Sequence, residues 1–110
     1  MDNFTAAMAE LYGFSYTRIG IIYSNKIWGN CSIFREINFN ICLAFLPTPF
    51  TEYVALHELC HTRQMNHEQA FWDEVSAILP DFKEVEKLGI GFQPEEYYAA
   101  LHPTHSLSTM

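Results

Sequence analysis

The 110-residue sequence is short of basic residues, of long apolar runs and of cysteine pairs. Its six Lys and Arg are scattered and the formal charge is −7, so no basic patch offers itself to a phosphate backbone. No nucleic-acid contact is expected. The longest apolar run, residues 41–46, is far too short to cross a bilayer, and no membrane partner is expected. Met1-Asp2-Asn3-Phe4 lacks the basic start of a secretory signal. Cys31, Cys42 and Cys60 are odd in number and show no Cys-x-x-Cys spacing. They read as reduced thiols in a cytoplasmic protein. There is also no Gly-rich phosphate loop, no internal repeat and no low-complexity stretch.

What is present describes a folded domain. Hydrophobic residues make up 49%, charged residues 17% and aromatics 15%, which suits a small, ring-rich core. Phe4, Ala7, Met8 and Leu11 recur at helical spacing, so residues 3–12 read as a helix stopped by Gly13. Residues 14–23, 27–34 and 36–40 read as strands, the second with a bulge at Gly29-Asn30. In the third, Ile37 and Phe39 alternate with Asn38 and Asn40. Residues 41–46 fit either a strand end or a short helical turn. Thr48-Pro49 looks like a cap followed by the first helical position of a helix reaching about Gln64. Asn66-x-x-Gln69 reads as a capping box for another helix, and Asp81-x-x-Glu84 opens one that Gly89 closes. Residues 94–101 suggest a last helix, before a loose tail. The order predicts an α+β fold with a small three-to-four-stranded sheet packed on a central helix.

That helix carries His57-Glu58-Leu59-Cys60-His61. Two histidines four apart lie on one face, one turn apart, and can reach a single ion. Glu58 is rotated about 100° from His57. It can flank the ion without ligating it, close enough to take a proton from water, which is the physical content of the His-Glu-x-x-His pattern. Tyr53, Val54, Leu56 and Cys60 make the helix apolar. Buried imidazoles need partners, and a metal supplies one for each ring. His67, six residues past His61, is the expected third ligand. Glu74, Glu84 and Glu86 are the competing choices.

Three segments together resemble the YgjP-like metallopeptidases, relatives of the SprT-like and minimal zincin proteases. They are Trp28-Gly29-Asn30-Cys31-Ser32; Ile37-Asn38-Phe39-Asn40 with Pro47 beyond; and the run from Glu52-Tyr53-Val54 through the histidine motif to Asn66-His67, Phe71-Trp72 and Pro80-Asp81-Phe82-Lys83. The resemblance implies a zincin-like domain over residues 1–88 with residues 89–110 as an extension. It implies one Zn2+ held by His57, His61 and His67, with Glu58 catalytic. Ile27 and Asn30 depart from the family pattern, which has a basic residue and a serine at those positions.

The expected activity is hydrolysis of a peptide or protein substrate by a metal-activated water. The alternatives are hydrolysis of a non-peptide substrate such as a phosphoanhydride, or a non-catalytic module with a structural zinc. Cys31, Cys42 or Cys60 on the metal would mark the latter. Asn30, Asn38, Asn40 and Tyr53 are candidates for oxyanion stabilisation. Trp28, Phe71 and Trp72 are expected in the core, with Phe71 and Trp72 bracing the turn of His67. Asp73 and Glu74 are expected on a solvated face, and His102 and His105 away from the metal.

Overall fold

The computed structural model describes residues 2–90 and Pro94 of the chain. Helix α1, Asp2–Tyr12, ends where Gly13 takes φ 72°, and the Phe14 amide bonds back to the Ala9 carbonyl at 2.9 Å. That is a left-handed glycine stop of the kind the sequence announces. Strands β1 (Arg18–Ile22), β2 (Gly29–Cys31) and β3 (Glu36–Asn40) form one sheet in the order β1-β3-β2. β1 pairs parallel to β3 and β2 antiparallel to it, so the sheet is mixed and β3 is central. Ile37 and Phe39 are at most 1% exposed, the inward half of the alternation.

β2 is shorter than the apolar run around it. Gly29 and Asn30 pair regularly with Phe39 and Asn38, so there is no bulge there. The irregularity comes later. A turn over Ser32–Glu36 puts Arg35 at φ 62° and uses the Ser32 hydroxyl to accept the Phe34 and Glu36 amides at 3.1 and 3.2 Å. This local hydrogen bonding supplies what a glycine would otherwise supply.

Residues Ile41–Phe45 form a 3-10 turn. Buried Asn40 organises it: its side-chain oxygen accepts the Cys42 amide, while its NH2 donates to the Ser24 and Ile27 carbonyls, both at 2.8 Å. Helix α2, Thr48–His61, follows with Pro47 as its cap, so Pro49 falls inside the first turn. Ten of its fourteen residues are buried, because it packs against α1, β2, β3 and the two later helices. A helix apolar on nearly every side can only be central.

Helix α3 is Gln69–Ile78 and α4 is Phe82–Ile90. The expected capping box is absent. Glu68 caps α3 without a side-chain bond, and Gly89 lies within α4 instead of closing it. The expected last helix beyond Pro94 and the tail lie outside the described residues. Among the described residues no helix is long and apolar enough to cross a membrane.

Candidate metal centre

The C-terminal turn of α2, the loop after it and the start of α3 converge on one point. The His57 and His61 Nε2 atoms stand 3.2 Å apart, His61 and His67 3.0 Å, and His57 and His67 3.3 Å. Four-coordinate zinc holds imidazole nitrogens at about 2.0–2.1 Å, which separates them by about 3.3 Å. The triangle therefore fits such an ion closely. Protonation supports the fit. His61 Nδ1 lies 2.9 Å from the Gln64 carbonyl and can only donate there, so its Nε2 presents a lone pair to the other two rings. A shared metal ion satisfies all three nitrogens at once, whereas an Nε2–H from His57 or His67 can serve only the His61 lone pair.

Burial favours the neutral form of His57 and His61. It lowers His57 to about 3, helped by its two histidine neighbours, and it also lowers His61 from the usual 6.5. Neutral rings are the ligating form.

Phe71 is the hub of the site. It is fully buried and stacks on His61 at 4.4 Å between centroids, with edge contacts to His57 at 4.9 Å and His67 at 5.1 Å. Trp72 lies flat over His67 at 5.8 Å and stacks in turn on Phe82 of α4. The pair thus braces His67 from α3, and the ring-rich composition is concentrated here.

Glu58 is 6% exposed, and burial raises its carboxyl to about 7. It stands outside the group of side chains that, among the described residues, could hold a metal, which consists of His57, His61 and His67 and contains no cysteine. The competing glutamates are engaged elsewhere. Glu74 pairs with Arg63 at 3.0 Å, Glu84 with Lys87 at 3.6 Å, and Glu86 accepts the Tyr53 hydroxyl at 2.9 Å. Glu74 is not on a solvated face as expected: one carboxylate oxygen is buried. Arg63 also donates to the Tyr12 carbonyl and covers the Phe14 ring at 4.1 Å, tying the His67 loop to the end of α1.

The opposite wall is β2. A Cβ on Gly29 would meet the Asn38 carbonyl at 3.0 Å, Val54 at 3.4 Å and Glu58 at 3.5 Å. Glycine is what allows α2 to bring Glu58 this close to the strand. Asn40 has no part here, being sealed into the 3-10 turn. Asn38 donates to the Asn30 side chain at 3.0 Å, and Tyr53 is tied to Glu86. The backbone is the freer donor. Asn40 bonds the Trp28 carbonyl and Ser32 the Glu36 carbonyl, so residues 28, 30 and 32 face β3. Gly29 and Cys31 therefore turn their N–H and C=O groups to the open edge.

A cavity of 260 Å³ lies between that strand and the histidines, and a second of 330 Å³ adjoins it through His57, Glu58 and Gly29. Two larger cavities, of 760 and 710 Å³, lie elsewhere and touch none of the three histidines. Chemistry, not volume, places the site. The close approach at Gly29 and the Gln64 carbonyl are parts that motif reading does not reach. His102 and His105 lie outside the described residues.

A family model described as "YgjP-like, metallopeptidase domain" matches residues 1–88. Among solved structures, the chain is similar to the crystal structure of the metallopeptidase zymogen of Pyrococcus abyssi abylysin, with a TM-score of 0.72 and 18% identity over 83% of this chain and 93% of that one. No curated protein matches.

Proposed function

The chain belongs to the YgjP-like metallopeptidase family, and from that footing we propose that it is a zinc-dependent peptidase with His57, His61 and His67 as ligands and Glu58 as general base. The observation that carries the proposal is the 3.0–3.3 Å triangle of Nε2 atoms beside a buried carboxylate that is not part of it. Three protein ligands are what catalytic zinc sites use, whereas structural sites complete four.

Bound zinc supplies Lewis acidity, which acidifies water and polarises a carbonyl. The protein's own residues do the rest. A Glu58 carboxylate oxygen takes the proton of the attacking water and returns it to the departing amine. The Gln64 carbonyl holds His61 in the ligating tautomer. The open edge of β2 receives the substrate as an added strand, with Gly29 and Cys31 bonding its backbone. That recognition favours a peptide over a phosphoanhydride.

The test is Glu58→Gln. It should retain one zinc per chain and lose about 10²–10⁴ in turnover of a peptide mixture. Turnover at the wild-type rate would remove Glu58 as the base. A wild-type chain that takes up no zinc would remove the metal assignment.

A further inference from the structure

The 330 Å³ cavity beside the histidines has a composition of its own. It begins at His57 and Glu58 and continues along the N-terminal half of α2. A peptide bond presented to the histidines therefore sends a neighbouring side chain into it. Ile27, Trp28, Phe50, Tyr53 and Val54 line it. Glu86 of α4 stands exposed at the rim.

Glu86 is held in place. The Tyr53 hydroxyl donates to one of its oxygens at 2.9 Å, and Tyr53 is only 6% exposed. The carboxylate keeps its second oxygen and further lone pairs for a ligand. Among the described residues the ion pairs are Arg63–Glu74 and Lys87–Glu84, and neither uses Glu86. Apolar walls ending in an anchored carboxylate match one kind of side chain: a long aliphatic stem with a cationic tip. The net charge of −7 attracts such a substrate from a distance.

We infer that this cavity is a specificity pocket for lysine or arginine next to the scissile bond, with Glu86, positioned by Tyr53, as its selecting residue. The inference rests on the peptidase reading for where that bond lies.

The experiment uses peptides identical except at positions flanking the cleavage site, which carry Lys, Arg, norleucine or Glu. Two readouts are taken: kcat/KM with the zinc-loaded chain, and binding by fluorescence anisotropy to zinc-loaded Glu58→Gln. Lys and Arg peptides should exceed norleucine about fivefold in both, the size expected of a partly solvated ion pair. Glu86→Gln should remove the difference, and Glu86→Lys should turn it toward the Glu peptide. Since Glu86 is exposed, neither change threatens folding. A preference that survives Glu86→Gln, or none at any position, overturns the inference. Glu86-dependent binding without cleavage of any peptide supports the pocket and sinks the peptidase reading. Cleavage indifferent to Glu86 does the reverse.

Discussion

The two walls of the cleft are built on different principles. One wall, from α2 through the loop to α3, works with side chains: three imidazoles, a carboxylate and the rings that pack on them. The other, β2, works with backbone: Gly29 and Cys31 present peptide groups at an open edge, and the absence of a side chain at Gly29 is what brings the walls together. In the proposed peptidase the first wall holds the metal and the second holds the substrate. Substitutions at the three histidines and the rings behind them should therefore change metal affinity, whereas those at Glu58 or on the second wall should change catalysis alone. His67→Ala is the strongest test of that division. It removes a ligand outright and should weaken zinc binding by more than about 100-fold, the upper end of what losing a mere supporting partner costs. Competition with a chromogenic chelator would measure it. A small loss would return the third position to a carboxylate.

Phe71→Leu probes the same wall one layer back. Leucine nearly conserves volume, so global stability should fall by less than about 1.5 kcal/mol. The ring faces that hold His57, His61 and His67 are lost, however, and zinc affinity should drop about tenfold. Chemical denaturation and chelator competition on one sample separate the two. Zinc affinity unchanged from wild type would make Phe71 simply a core residue.

The asymmetry of the walls also explains which features are legible in the amino-acid sequence. The α+β class, the helix stop at Gly13, the inward Ile37 and Phe39, and the histidine motif are written in side-chain periodicity and residue type. Even the brace at Phe71 and Trp72 is legible, as two large rings one helical turn beyond His67. Where backbone geometry decides, sequence pattern misleads. Glycine interrupting an apolar run suggests a bulge at Gly29-Asn30; the glycine is there for a neighbouring helix instead. The Asn66-x-x-Gln69 pattern forms no capping box because Glu68, not Asn66, takes the cap position of α3. Asn40 falls on the polar side of an alternating strand, yet it is a buried cap for the 3-10 turn, a role fixed by carbonyls 13 and 16 residues away.

Cys31→Pro tests the backbone wall. Proline at an edge strand removes one N–H and points its ring to the open side, away from the ladder with β3. One substrate hydrogen bond is worth about 0.5–1.5 kcal/mol, so kcat/KM should fall about 2- to 13-fold. Zinc affinity should stay level. A parallel loss of metal would show that the walls are not independent.

The smallest effect expected is on the stability of the metal-free chain, and it belongs to the histidine wall alone. As pH falls below 6.5, the unfolded chain protonates its histidines, while folded His57 waits until about 3 and His61 is also lowered. Each such group destabilises the fold on acidification. Glu58 works the other way: folded, it takes its proton near 7, whereas unfolded it waits for about 4.5, so it stabilises the fold as pH drops through that window. Between 4.5 and 6.5 the Glu58 and His57 effects oppose each other, leaving His61 to set a shallow decline. Below 4.5 the histidines act unopposed and the decline steepens toward 3. Denaturation midpoints of metal-free protein from about pH 7 to 4 would trace the curve. Cys31→Pro should run parallel to it. Glu58→Gln should remove the opposition, so that its decline is already steep at about pH 6; a variant curve parallel to wild type there would mean that the buried carboxyl titrates as an ordinary one.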